Sequence, residues 1–190
     1  MAREFVSFGA FADYLVGLLA SLPAAERRGL TAWAEIVQRE SQREIGHYQD
    51  AAGPFAAWPA LTENTLEGFA IGGRWIAGKV EMGYAPPDNP LLREGTLRDH
   101  IEYSVGEKEA AVGVPSVTVT SHYDDRPRDI GDIAIWHELG TATEPPRSFL
   151  GGAAFRMRDR AVDALTAHQI EWLAGFPASN RRHEDPLPNF

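Results

Sequence analysis

The feature that most constrains the fold is a helical repeat of apolar residues near the start of the chain. From Phe11 to Leu22 the apolar side chains recur at three- and four-residue intervals, the spacing of a helix that buries one face. Pro23 interrupts this run, so the pattern predicts one helix that ends there and a second that continues to Gly46. A short strand is predicted ahead of them, over residues 3–7.

The rest of the chain alternates between irregular and periodic segments. Residues 47–95 are punctuated by proline and glycine and predict a long connector that contacts a partner. Residues 97–106 alternate apolar and polar side chains, residues 110–114 do so again, and residues 117–120 are rich in β-branched residues, which predicts short strands. Helical spacing returns from Ala154 to the region of Gly175.

These elements predict an α+β fold, in which a small antiparallel sheet packs against two to three helices and long loops join them. We expect a single domain over residues 1–175. Residues 176–190 contain three prolines and predict an extended C-terminal arm.

Composition excludes several classes of function. The net charge of −9 argues against a sequence-independent nucleic-acid binder, and residues 61–150 alone hold eight basic and fifteen acidic side chains. The chain has no cysteine, which excludes disulfides, cysteine-ligated metals and thiol catalysis. No stretch is expected to approach the ~18 apolar residues of a membrane span, and the N-terminus lacks the pattern of a signal peptide. We therefore expect synthesis and use in a reducing cytoplasm, or export only as part of something assembled there.

Two sequence motifs match part of a known binding or catalytic motif, but each lacks a residue that the chemistry needs. Gly73–Lys79 has the glycine and lysine spacing of a phosphate-binding loop, but Val80 stands where a hydroxyl should bind magnesium. His137-Glu138 begins like a zinc-protease helix, but Thr141 stands where the second histidine is needed. No catalytic residue, cofactor or metal ligand is predicted. A metal- or nucleotide-dependent cytoplasmic enzyme built on either motif, or a generic binding module, stays open as an alternative.

Five short segments, in their order along the chain, resemble the tailed-bacteriophage neck and tail-completion family, also labelled virion morphogenesis or minor tail proteins. They lie at residues 58–65, 90–99, 111–114, 133–141 and 145–150. The positions that carry the resemblance are Trp58, Pro59, Leu61, Leu92, Gly95, Leu97, Arg98, Gly113, Ala134, His137, Glu138, Gly140, Thr141, Pro146, Arg147, Phe149 and Leu150.

The resemblance implies a non-enzymatic virion protein that forms a homo-oligomeric ring at the head–tail junction. Such a protein acts as a tail terminator, a tail-completion protein or a head–tail connector, between the portal-side head-completion proteins and the tail tube. It is assembled in the host cytoplasm without a membrane, and genome DNA passes through its lumen without specific binding. An acidic lumen would repel phosphate, which gives the charge of residues 61–150 a possible purpose.

Ring subunits reach their neighbours through loops and arms, so we expect residues 62–90, 115–130 and 176–190 to contact other subunits. Tryptophans in irregular segments often anchor interfaces, which applies to Trp58, Trp75 and Trp136, whereas Trp33 and Trp172 are expected in the core. The candidate interface residues are Trp75, Trp136, Tyr123, Arg126, Arg128 and Phe190.

The residues from 137 to 150 also have a local interpretation. Gly140 is expected to end a helix in the left-handed conformation, and Phe149-Leu150 to enter the core after two stiffening prolines. Arg147 is expected to hold this loop to a carboxylate, within the chain or across subunits.

Overall fold

The computed structural model describes residues 4–84, 86–120 and 126–174, and it has the predicted α+β class. The helices in this part of the chain are α1 (Phe8–Glu44), α2 (Glu63–Glu67), α3 (Thr96–Asp99), α4 (Ile130–Leu139), α5 (Gly151–Arg156) and α6 (Arg158–Leu173). The strands are β1 (Gly68–Ile71), β2 (Arg74–Ala77), β3 (Glu102–Val105), β4 (Ala110–Gly113), β5 (Thr118–Thr120) and β6 (Pro127–Asp129).

The strands form three two-stranded sheets, β1–β2, β3–β4 and β5–β6, so the expectation of one sheet is wrong. β1 and β2 pair antiparallel from Gly68↔Ala77 to Ile71↔Arg74. The two residues that join them, Gly72 and Gly73, both have positive φ, as the tight turn of a two-residue hairpin requires. A two-stranded sheet is at best marginally stable alone, so helices and loops must complete the core.

α1 is one helix of 37 residues with Pro23 inside it, so the predicted break is wrong. Proline removes one helical hydrogen bond and costs about 3 kcal/mol in a helix interior. Strong helix formers follow it from Ala24 to Arg28, and buried residues such as Ala25 and Ala34 anchor the helix beyond it. The strand predicted over residues 3–7 is also absent from its described residues; Ser7 instead accepts a hydrogen bond from Ala10 N and caps α1.

Two other predicted boundaries move. The alternating segment predicted as a strand over 97–106 begins as the short helix α3, because Gly95 turns the chain with φ 90°, and β3 starts only at Glu102. The predicted last helix is divided at Met157, whose backbone leaves the helical region between α5 and α6.

The contacts of the chain group it into two compact units. Unit 1 comprises Met1–Glu35, Ser104–Ala111 and Asp159–Phe190, and unit 2 comprises Ile36–Tyr103 and Val112–Arg158, in each case over their described residues. The single domain over residues 1–175 stays a prediction, and the arm at 176–190 lies outside the described residues.

Unit 2 holds the larger core. Seven buried side chains from the end of α1, the loop after it, α3, α4 and the segment before α5 pack together there. These are Ile45, Trp58, Leu97, Ile101, Ile130, Ala134 and Phe149. Gln38 and Gln42 of α1 donate side-chain hydrogen bonds to Ile101 O, which ties α1 to the end of α3.

In unit 1, the first part of α1 packs antiparallel to α6. The Trp172 indole N–H lies 3.0 Å from Leu18 O and 2.9 Å from Ser21 Oγ. Further along α1, a Cβ added at Gly29 would lie 3.1 Å from Leu165 O, so the absence of a side chain at Gly29 favours this close approach of the two helices. Trp33 and Trp172 are both half-buried, whereas the sequence predicted core positions.

α1 also passes a length and hydropathy test for a membrane span, which overturns the expectation that no segment approaches one. An 18-residue window of the helix has a mean hydropathy of 1.4 and is 6% buried. A signal sequence and the core helix of a soluble protein meet the same criterion.

Candidate functional site

The motif residues of the second half of the chain meet at the corner between α4 and α5. α4 begins at the N-cap Asp129, whose carboxylate accepts hydrogen bonds from Gly131 N at 2.7 Å and from Ser116 Oγ. The Ser116 hydrogen bond, together with those from the backbone, lowers the pKa of Asp129. α4 ends at Gly140, as predicted. The glycine has φ 77°, and a Cβ there would lie 2.8 Å from Pro146 N.

Glu138 is the centre of this corner. Its Oε1 accepts hydrogen bonds from Ser148 Oγ at 2.5 Å and Gly151 N at 2.9 Å. Its Oε2 accepts from Phe149 N and Leu150 N, both at 2.9 Å. The carboxylate thus satisfies three backbone donors at the start of α5, where Leu150 as N-cap residue offers no side-chain bond. Glu138 is a structural cap in this geometry, with both oxygens engaged.

Arg147 fixes the loop between α4 and α5, but its partners are not the carboxylate that the sequence predicted. Its backbone N donates to His137 O at 2.7 Å, and its Nη2 donates to Pro59 O at 3.1 Å and Ala60 O at 3.5 Å. The expected carboxylate partner is therefore replaced by backbone carbonyls. Burial lowers the pKa of this guanidinium. The two motif segments 58–61 and 145–150 are joined by this side chain.

His137 does not pair with Glu138 as metal ligands would. Burial lowers the pKa of His137, and its Nδ1 lies 3.8 Å from Glu144 Oε2. Glu138 faces the start of α5 instead. Among the described residues no group of three or more His, Asp or Glu side chains is placed to hold a metal ion.

The apolar motif residues Trp58, Leu97, Ala134 and Phe149 belong to the core of unit 2, and Leu92 and Leu150 pack against it. Phe149 is fully buried, as predicted. Trp58 is also buried, so its interpretation as an interface anchor is wrong.

The remaining motif residues shape turns and edges of unit 2. Thr141 Oγ1 accepts hydrogen bonds from Thr143 N and Glu144 N and closes the turn after α4. Leu61 N donates to the Tyr48 hydroxyl at 3.1 Å. Arg98 forms an ion pair with Asp99, with 3.0 Å between Nε and Oδ1. Gly113 ends β4, and Gly95 is the N-cap residue of α3. Pro146 lies against Gly140, where an added Cβ would be 2.8 Å from Pro146 N.

A shallow pocket of about 370 Å³ lies beside this corner. Apolar side chains of α4 line it with Leu150 and Val114, and Asp129, Asp132 and Glu138 stand at its walls. Asp129 and Glu138 are the carboxylates already used to cap α4 and α5. The pocket therefore offers an apolar surface rather than a pair of free acid and base groups.

The segment Gly73–Lys79 does not adopt the form of a phosphate-binding loop. Gly73 lies in the hairpin turn, and residues 74–77 are the extended strand β2, which cannot curl its N–H groups around a phosphate. Lys79 is buried, and its Nζ donates to Asn89 O. Burial lowers the pKa of this ammonium group.

The candidate interface residues within the described chain are on the surface. Trp75 and Trp136 are exposed, and the Trp75 indole donates to Glu81 Oε2 at 2.6 Å. Arg126 and Arg128 are exposed beside and within β6. Tyr123 and Phe190 lie outside the described residues.

Sequence reasoning missed a buried polar cluster in unit 2. Glu40, Ser41 and Glu44 of α1 are at most 2% exposed. Arg43 contacts both oxygens of Glu40, at 2.9 and 2.6 Å. Arg156, at the end of α5, donates to Glu44 Oε1 at 2.6 Å and to Asp50 O at 2.6 Å. A signal was present in the sequence, since the repeat that buries Val37 also predicts burial at 40, 41 and 44.

This cluster predicts an unusual dependence of stability on pH. Burial raises the pKa of Glu44 to about 7 from a reference of 4.5, although Arg156 opposes the shift. The protonated form is favoured in the folded state, so this contribution is fully present below about pH 4.5 and lost as the pH rises through about 7. In the wild type we expect the free energy of unfolding to fall by at most about 3 kcal/mol between pH 4.5 and 8 because of Glu44. In Glu44→Gln this fall should be absent.

Urea unfolding at a series of pH values measures this difference, and Glu67→Gln, at an exposed glutamate, is the matched control. If wild type and Glu44→Gln keep a constant difference in unfolding free energy from pH 4.5 to 8, Glu44 does not titrate as described.

Comparisons with protein-family models, curated proteins and solved structures find no match for this chain. The structure is that of an α+β protein whose motif residues bond loop backbone between α4 and α5 or pack in the core of unit 2.

Proposed function

We propose that this chain is a structural subunit of a tailed-phage virion, which forms a ring at the head–tail junction as a tail terminator, tail-completion protein or head–tail connector. The proposal rests on the order of the sequence motifs. One structural observation supports its non-enzymatic character. The polar motif residues Glu138 and Arg147 are committed to six hydrogen bonds that hold loop backbone and Ser148 in place.

Two exposed tryptophans support a subunit that meets neighbours. Trp75 on β2 and Trp136 on α4 are large exposed aromatic side chains, the residue type that most often anchors interfaces. Both lie in unit 2, in or beside elements that the sequence predicted to reach partners. The partners in this proposal are further copies of the chain, the portal-side head-completion proteins and the tail tube.

The first test is assembly. Purified protein, alone and mixed with tail-tube protein from the same phage, would be imaged by electron microscopy, and its mass measured by light scattering. We expect closed rings of defined subunit number, because heterologous interfaces that close give a fixed stoichiometry.

The matched variants are Trp136→Ala and Trp33→Ala, an exposed and a half-buried tryptophan. Under the proposal, Trp136→Ala weakens ring formation at unchanged thermal stability, whereas Trp33→Ala lowers thermal stability. Protein that forms no ring under either condition, and is absent from the necks of purified particles probed with an antibody, would contradict the proposal.

A further inference from the structure

Unit 1 exposes an apolar stripe on each of its two long helices. On α1 the stripe comprises Phe8, Leu15, Val16 and Leu19, and on α6 it comprises Val162, Ile170 and Leu173. Their exposed fractions run from 38% to 83%. A helix pair normally turns such stripes inward, so seven large apolar side chains in water indicate a surface that another element covers.

The two stripes lie on the same side of the helix pair. Leu18, Ser21 and Gly29 mark the line of α1 that faces α6, and Leu165 and Trp172 mark the line of α6 that faces α1. Successive residues are rotated by about 100° around a helix axis. On both helices the centre of the stripe is rotated by about a third of a turn from the contact line, in the sense in which the chain winds. Because the two helices run antiparallel, the same rotation on each places both stripes on the same face of the helix pair.

The charges around this face argue against a helix pair that lies on a bilayer surface. Between Phe8 and Ala25 the only charged residue is Asp13, and no Lys or Arg occurs from Glu4 to Glu26. On α6, Asp163 and Glu171 lie next to stripe residues, and Arg158 and Arg160 lie at its start, ahead of Val162. Helices that lie on bilayers carry Lys and Arg on their polar face, which attract anionic headgroups. The stretch of α1 from Phe8 to Ala25, which carries its stripe, lacks that attraction.

The size of the face suits a second copy of the chain. Applied to the areas of extended side chains, the exposed fractions leave roughly 600 Å² of apolar surface per copy, of the same order as the ~800 Å² per partner of a standard interface. An antiparallel helix pair is half of a four-helix bundle, and a two-fold axis through this face would supply the other half.

We propose that unit 1 pairs with unit 1 of a second copy, with the two stripes of each copy packed together as the core of a four-helix bundle. This interface differs from the loops and arm at 62–90, 115–130 and 176–190, and the inference does not depend on the proposed function. Leu19 and Ile170 are central to it, because each is at least 60% exposed and each lies within its stripe.

Sedimentation of the full-length chain from about 1 to 100 µM tests the pairing. We expect wild type to be dimeric, or to form even multiples, and Leu19→Glu or Ile170→Glu to weaken the association about 100-fold or more, because a charge would enter the apolar interface. Leu139→Glu is the control, since Leu139 is 73% exposed and lies on α4 of unit 2, outside the segments 62–90, 115–130 and 176–190. Circular dichroism melting checks that all variants remain folded.

Three results would overturn the pairing. Wild type could be monomeric up to about 100 µM. Monomeric wild type could float with phosphatidylcholine vesicles and lose flotation on Leu19→Glu, which would make lipid the occupant. A chain shortened after Ala174 could dimerise where full-length protein does not, which would make residues 175–190 the cover. The two proposals fail separately: dimers without rings would contradict the proposed function alone, and rings without dimers that Leu19→Glu weakens would contradict the pairing alone.

Discussion

Replacement of Glu138 by alanine is expected to lower the free energy of unfolding by about 3–4 kcal/mol. The carboxylate accepts hydrogen bonds from three backbone N–H groups and from Ser148 Oγ, all within 2.9 Å. Alanine leaves these donors at the start of α5 without an acceptor, and bonds to a charged acceptor are worth about 1.5–3 kcal/mol each before relaxation and water compensate. Urea unfolding followed by far-ultraviolet circular dichroism measures the loss.

Glu144→Ala is the matched control, because Glu144 lies in the same loop with an exposed side chain. Its effect is expected to stay within about 0.5 kcal/mol, the usual range for a surface change. Glu138→Gln keeps the shape of the side chain but replaces one acceptor by a donor, so its loss should fall between the two. If Glu138→Ala and Glu144→Ala destabilise the protein equally, the α4–α5 corner does not depend on the carboxylate.

Phe149→Ala is expected to cost about 3–5 kcal/mol of unfolding free energy, the range for a large aromatic side chain removed from a core. Phe149 is fully buried and belongs to the cluster that joins α1, α3 and α4 in unit 2. The change removes the buried apolar area and leaves a cavity that the surrounding helices can fill only in part. Equilibrium unfolding in urea, with the slope compared between variants, gives the value.

Phe155→Ala provides the comparison, since Phe155 lies six residues further along and is 40% exposed. It contacts Phe55 with 6.3 Å between ring centroids and the Arg158 guanidinium at 5.8 Å from its ring, so we expect a loss of about 1 kcal/mol rather than none. A loss for Phe149→Ala no greater than that for Phe155→Ala would place the centre of the core elsewhere.

The parts of the fold that follow from local chemistry could be predicted from the sequence. The α+β class is confirmed, because helical and alternating periods reflect which residues face a core. The end of α4 at Gly140 and the burial of Phe149 follow from the conformational freedom of glycine and from the apolar pair after two prolines.

Boundaries that depend on tertiary contacts could not be predicted. Pro23 is a local signal for a break, yet α1 continues through it, with Leu18 and Ser21 hydrogen-bonded to Trp172 before the proline and Ala25 buried after it. The cap of α5 is supplied by Glu138, which lies more than ten residues before the backbone N–H groups that it satisfies. Capping rules consider only residues within the first turn of the helix, so they could not predict it. The same limit applies to Glu44, whose partner Arg156 is 112 residues away.

The burial of Lys79 has a practical consequence for labelling. The chain contains two lysines, Lys79 and Lys108. The first is 6% exposed with its amine directed to Asn89 O, whereas the second is exposed in the turn between β3 and β4. Amine-reactive dyes on the folded protein should therefore mark a single side chain in unit 1, and lysine-directed cross-linkers would report very little about unit 2. Carboxylate-directed cross-linkers suit this acidic chain better.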